Sequence, residues 1–154
     1  HKLKSDGIKR IYLLCGTNNI DRILEVPREY FNSINVDIAS YNHQKFEKSL
    51  VEIEQLINFL QSWFKNASLN VLNILPRASY ARNTVINDMN AFIHTLCGKL
   101  GHNFIGTELN RYLFSTKQGF RRDELFHVNG SDNVHLNSAG IVKIGKLLKY
   151  LMHN

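Results

Sequence analysis

Apolar positions along the chain fall into short continuous runs that alternate with long segments of helical spacing. The first run spans residues 8–15. Its residues Ile11, Tyr12, Leu13, Leu14 and Cys15 are apolar on both faces, which predicts an interior parallel strand with helices above and below. Gly16 ends it. Residues 20–43 carry Pro27, several Asn and weak periodicity, so a long loop with one short helix near 28–33 is expected. From Gln44 to Phe64 the spacing is regular: Phe46, Leu50, Ile53, Ile57, Leu60 and Phe64 recur at steps of four and three, one apolar stripe down a helix. Leu69 to Leu75 predicts a second strand, closed by Pro76, which has no N–H for a ladder. A second helix is expected over Asn83 to Leu100, with Val85, Met89, Phe92, Leu96 and Leu100 inward and Gly101 as its stop. Phe104, Ile105 and Gly106 suggest a third, short strand, followed by polar loop up to Asn137. The last helix is expected from Ser138 to Met152. Ile141, Ile144, Leu148 and Leu151 form its buried face, and Lys146, Lys149 and His153 suit the negative end of its dipole.

This order of strand, helix, strand, helix, strand, helix predicts an α/β protein with a parallel sheet joined by right-handed crossovers. With no internal repeat and no low-complexity linker, residues 1–154 are expected to form one domain. At 154 residues, 44% hydrophobic and 21% charged, the chain has the composition of an ordinary globular domain. It is long enough to bury roughly two thirds of its unfolded surface, so a core needs no disulfide or metal. Cys15 and Cys97 both lie in apolar stretches without CxxC or Cys/His spacing, and free buried thiols are expected rather than a disulfide. Nineteen Lys and Arg against 13 acidic residues give +6, which favours loose contact with phosphates or anionic surfaces. The cations are scattered, with no run of five or six, so charge alone identifies no partner. No apolar run approaches the roughly 18 residues of a membrane span. The start His1-Lys2-Leu3-Lys4 has no signal-peptide core and no initiator Met, which is expected of a piece of a longer protein. The compartment is left open, with an intracellular one favoured.

In open parallel sheets functional groups collect beyond the carboxyl ends of the strands, which directs attention to three places. Gly16-Thr17-Asn18-Asn19 follows the first strand, Pro76-Arg77 the second, and Asp132-Asn133-Val134-His135-Leu136-Asn137 precedes the last helix. Each has a plain structural explanation: a tight turn at Gly16, loop backbone satisfied by Asn18 and Asn19, a helix cap at Asn137 or Ser138. The spacing of Asp132 and His135 has a more particular use. In a hydrolytic triad a carboxylate holds the imidazole in one tautomer and stabilises the imidazolium formed when the nucleophile gives up its proton. Three residues apart on a turn entering a helix, the two side chains can meet locally.

Gly16-Thr17-Asn18-Asn19 near the start, with Asp132 and His135 before a terminal helix, resembles the SGNH (GDSL-like) hydrolase superfamily. The resemblance runs over nearly the whole chain, and is strongest to the SGNH-like domains of animal mobile-element and virus-associated proteins. It implies a flavodoxin-like three-layer α/β/α sandwich and cleavage of a small ester or acyl substrate without metal or organic cofactor. Asn18, with Gly16, matches the oxyanion-hole block; Asp132 and His135 match the triad carboxylate and base. Asn19 stands where that family usually has Asp, a residue expected to support the loop. No Gly-Asp-Ser precedes the first strand, and Ser5-Asp6-Gly7 reads as a turn. The unit carrying the nucleophile and a second oxyanion glycine is therefore expected outside the chain, which would be the C-terminal portion of the domain. Cys15 adjoins the block but is expected to point into the core. The missing central strand would lie beside Ile11 to Cys15, so a separate N-terminal segment or another chain is expected to complete the sheet. The alternative implied by the same resemblance is a catalytically silent module binding nucleic acid (RNA) or protein. Arg77, Arg82, Arg121 and Arg122, placed on loops near the site, would then contact phosphates together with lysines of the final helix.

Overall fold

In the computed structural model, residues 7–34, 39–114, 121–127 and 133–153 are described. The turn expected at Ser5 and Asp6 lies outside them. Three strands, β1 (Arg10–Leu13), β2 (Ser68–Leu72) and β3 (Asn103–Ile105), form a parallel sheet in the order β1-β2-β3. Arg10 pairs with Ser68 and Leu13 with Val71 across the first ladder; Asn70 pairs with Asn103 and Leu72 with Ile105 across the second. The helices are α1 (Ile20–Ile23), α2 (His43–Trp63), α3 (Tyr80–Leu100), α4 (Thr107–Leu113) and α5 (Ser138–Met152).

The pleat sorts the strand residues onto two cores, because successive side chains point to opposite faces. Ile11, Leu13, Leu69, Val71 and Phe104 pack with α1, α2 and α3 on one face. Tyr12, Leu72 and Ile105 pack with Leu109 and Leu113 of α4, Leu125 and Phe126, and Ile144 and Leu147 of α5 on the other. The result is three layers, helices on both faces of a parallel sheet, as the alternating elements predict. No helix among the described residues is long and apolar enough to cross a membrane.

Local chemistry sets the helix ends. The Asn42 side chain accepts the Lys45 N–H at 3.0 Å and starts α2; Ser79 accepts the Arg82 N–H at 3.4 Å and starts α3. Gly101, at φ 78°, stops α3 in the left-handed conformation.

Several expectations are corrected. β1 is an edge strand whose residues are only half-buried or exposed, not an interior one; among the described residues nothing pairs with its outer side. β2 ends at Leu72 rather than Leu75. Residues 107–113, expected as polar loop, form α4, whose Leu109 and Leu113 are fully buried. Residues 20–23, expected as loop, form α1, and the short helix expected near 28–33 is a single 3-10 turn, Arg28–Tyr30. The α3 stripe is broader than one row. Phe92 is 38% exposed while Ile93, beside it, is 1% exposed, with Ile86 and Cys97 joining the buried face. In α5, Ile141 is 61% exposed, and Leu147 takes its place in the core with Ile144.

Beyond β2 the chain stays buried from Asn73 to Arg77 outside the strand ladders, so its backbone groups must find partners one by one. The Asn73 N–H donates to the Ile105 carbonyl at 3.1 Å. Two asparagines of α3 hold the rest. The Asn90 amide accepts the Ile74 N–H at 2.7 Å and donates to the Ile74 carbonyl at 3.1 Å; Asn83 does the same for Arg77, both at 2.7 Å. Each amide thus replaces one rung of a sheet. Asn90→Ala should strand both groups of Ile74 and lower stability by about 2 kcal/mol or more, read by urea denaturation. Asn90→Asp, which retains only the acceptor, should recover part of the loss at most.

Candidate functional site

A crevice of about 590 Å³ opens at the carboxyl end of β1, between the loop Leu14 to Asn19 and the segment Val134 to Leu136, with Leu75 and Ile141 completing its wall. Gly16 makes the turn that leaves β1. Its φ is 100°, and a Cβ built on it would lie 2.7 Å from the Cδ1 of Ile74, so both conformation and space require glycine. The turn closes with the Asn19 N–H donating to the Gly16 carbonyl at 3.1 Å. Asn19 also lines the crevice, and its side chain reaches α2, where its amide donates to the Ser49 hydroxyl at 2.9 Å; that hydroxyl donates in turn to the Lys45 carbonyl at 2.8 Å. Asn18 is left exposed beside the opening.

On the opposite wall, His135 is exposed and its segment is pinned from behind. The His127 N–H donates to the His135 carbonyl at 2.9 Å, and Phe126 bridges Leu136. Asn137 caps α5 by accepting the Gly140 N–H at 3.0 Å while its amide donates to the Glu124 and Phe126 carbonyls, at 2.8 and 3.1 Å. A Cβ on Gly140 would meet the Leu125 carbonyl oxygen at 2.2 Å, so α5 begins in backbone contact with the 123–126 turn. Gly16, Asn18 and His135 therefore share one crevice; Asp132 lies outside the described residues.

Cys15 is corrected from core residue to boundary residue: half-buried, it packs against the core yet lines the crevice. Burial pushes its thiol above the ordinary cysteine range, and Cys97, nearby and also free, is raised by burial and by Cys15. Among the crevice-lining residues Cys15 and Thr17 bear a thiol and a hydroxyl, and none is serine. Among the described residues no group of three His, Cys, Asp or Glu side chains could hold a metal ion.

The four arginines expected to face phosphates do something else. Arg77, Arg82 and Arg121 are buried and Arg122 is half-buried. Arg82 lies in α3, not on a loop, and its Nε meets Asp21 Oδ1 at 2.6 Å; Arg77 Nη2 meets Asp21 Oδ2 at 3.0 Å. Further guanidinium N–H groups donate to backbone: Arg82 to the carbonyls of Tyr30, Phe31 and Ser33, Arg77 Nη2 to that of Phe31. Burial lowers the Arg77 pKa, and Asp21 opposes the shift. Arg121 stacks 4.3 Å from the Phe126 ring centroid, pairs with Asp123 at 3.0 Å and donates to the Asn133 carbonyl at 2.6 Å. Arg122 donates to the Phe114 carbonyl at 3.2 Å. These side chains hold loops together and are not presented to a ligand. Asp21, absent from the candidate residues, is the carboxylate on which the first pair depends. Its position between Ile20 and Ile23 in an apolar stretch was the available signal.

No protein-family model and no curated protein sequence matches the chain. Among solved structures, one described provisionally as a platelet activating factor from Streptococcus pneumonia is similar, with a TM-score of 0.64 and 22% identity. The match covers 93% of this chain and 59% of that one, so the chain spans somewhat over half the length of the structure it resembles. The likeness is one of fold.

Gly16→Ala should cost about 2 kcal/mol from left-handed strain and overlap with Ile74. Adding Ile74→Val, which removes the overlapping Cδ1, should restore part of that in thermal denaturation. Asp21→Asn leaves two buried guanidinium groups without a counter-charge, and the expected loss is about 3–5 kcal/mol. Glu25→Gln, which breaks the exposed 3.7 Å pair with Lys45, should change stability by less than about 1 kcal/mol in the same urea titration.

Proposed function

We propose that the chain is the C-terminal portion of an SGNH-like hydrolase domain, a serine-type esterase or acyl hydrolase acting on small carboxylic esters. The observation that carries this reading is the convergence of Gly16, Asn18 and His135, from opposite ends of the sequence, on one crevice beyond the sheet. In this reading His135 takes the proton from an attacking serine and later returns it to the leaving alcohol. Asp132 orients the imidazole. Asn18, held at the mouth of the crevice by the turn at Gly16, donates to the oxyanion that develops on the ester carbonyl. The anchoring of Asn19 on Ser49 fits a supporting rather than a reacting role for that residue. A strand pairing with the open side of β1 would bring a serine at its end to the same crevice. Burial takes Arg77, Arg82 and Arg121 out of the contact set expected for nucleic acid, leaving of it the half-buried Arg122 and the lysines of α5.

The test is hydrolysis of 4-nitrophenyl acetate. The 154-residue chain alone should show only residual turnover, because a base and an oxyanion donor lack a nucleophile. A polypeptide carrying a further strand ending in Gly-Asp-Ser ahead of residue 1 should be active. In it, His135→Ala should lower kcat by roughly four orders of magnitude. Asn18→Ala should lower it by roughly two to three. Robust turnover by the 154-residue chain that survives His135→Ala overturns the assignment; turnover lost on Cys15→Ser moves the nucleophile to Cys15.

A further inference from the structure

On the outer side of the molecule, α4, the 123–125 turn and α5 enclose a second depression, about 850 Å³, unrelated to the crevice. Its size falls within the range of small-molecule sites. Leu125 and Leu147 form the floor, and Tyr112, Val142 and Tyr150 the walls. It follows α5 from Ser138 to Tyr150, about 18 Å at 1.5 Å per residue, with Lys143 and Lys146 near its middle.

The charged residues lining it are both cations, Lys143 and Lys146. The Lys143 ammonium stands 5.6 Å from the Tyr112 ring centroid, held above an aromatic face. Among the described residues neither lysine joins a salt bridge and no carboxylate lines the groove. An apolar trough with two ammonium groups and no acid at its rim complements a ligand with a long hydrocarbon body and one anionic head. We propose that this groove binds a free fatty acid, its chain along Leu125, Val142 and Leu147 and its carboxylate between Lys143 and Lys146. Nucleic acid would leave the trough unfilled.

Adjacent residues of α5 separate the groove from the crevice: Ile141 lines the crevice and Val142 the groove. Both are exposed, so polar substitutions at either should leave the fold intact. The experiment is titration of the 154-residue chain with cis-parinaric acid, followed by fluorescence below the micelle concentration. Saturable one-site binding is expected, displaced by dodecanoate but not by methyl dodecanoate or dodecyltrimethylammonium. Lys143→Glu/Lys146→Glu and, separately, Val142→Asp should each weaken it by about tenfold or more. Ile141→Asp should leave it unchanged, and unchanged melting temperatures confirm that all variants are folded. If the lysine variant does not fold, the acid against methyl ester comparison on the parent chain carries the decision. The proposal is overturned by absence of saturable binding, by equal displacement with the methyl ester, or by equal weakening from Ile141→Asp and Val142→Asp. Binding seen only to vesicles of dioleoylphosphatidylglycerol also overturns it, in favour of a membrane surface.

Discussion

Asp21 divides its two carboxylate oxygens between two buried arginines, and four chain segments meet at that point. The carboxylate belongs to α1, Arg77 to the stretch after β2, Arg82 to the first turn of α3, and the carbonyls that take further guanidinium protons to residues 30–33. Two guanidinium cations removed from water with one carboxylate leave a net positive charge in the interior. The carbonyls of Tyr30, Phe31 and Ser33, aimed at guanidinium donors, offset part of that cost. Such a cluster contributes less to raw stability than an apolar core of the same volume would. What it imposes is mutual dependence: no segment can shift without leaving a buried ion unmatched. Since α1 begins directly after Asn19, the loop bearing Gly16 and Asn18 inherits that fixity.

The two walls of the crevice are anchored on opposite faces of the sheet. The Asn19 side chain ties one wall to α2, while Asn137, Gly140 and Arg121 tie the other to α5 and the 123–126 turn. The walls are also tied to each other's supports, because the Asn133 amide, next to the His135 segment, donates to the Asn32 carbonyl at 2.6 Å, in the loop held by Arg77 and Arg82. Rigid elements carrying short, heavily hydrogen-bonded loops are a suitable mount for groups that must act together.

Long amphipathic elements could be read from the sequence because their periodicity is redundant. α2 begins one residue before the expected start, and α5 matches its expected bounds. α4 escaped because seven residues with three apolar positions, Leu109, Tyr112 and Leu113, repeat too few times to stand out. The single stripe assigned to α3 failed for the opposite reason: a helix covered by sheet and neighbours buries more than one row, so Ile86, Ile93 and Cys97 fell outside a one-row pattern. At the site, the glycine and asparagine of the first loop and His135 were visible as local motifs. The fate of the arginines was not. Burial of a guanidinium is decided by a carboxylate 56 or 61 positions away in the chain, and local composition holds no record of that distance. The amide clasps of Asn83 and Asn90 were hidden in the same way.

Among the described residues nothing pairs with the outer side of β1, which presents its peptide groups to any extended segment that drifts past, including the same strand of a neighbouring molecule. The strand is four residues long, and exposed Lys9 and Arg10 stand at its entrance, with Arg10 also reaching the Met152 carbonyl at 2.5 Å. Brevity and like charge at one end are the ordinary defences against edge-to-edge stacking, whereas Leu14, 47% exposed at the other end, works against them. Self-association of the separate chain in concentrated solution would therefore begin at Leu14 and strengthen with added salt, as screening removes the repulsion between lysine and arginine side chains of facing strands.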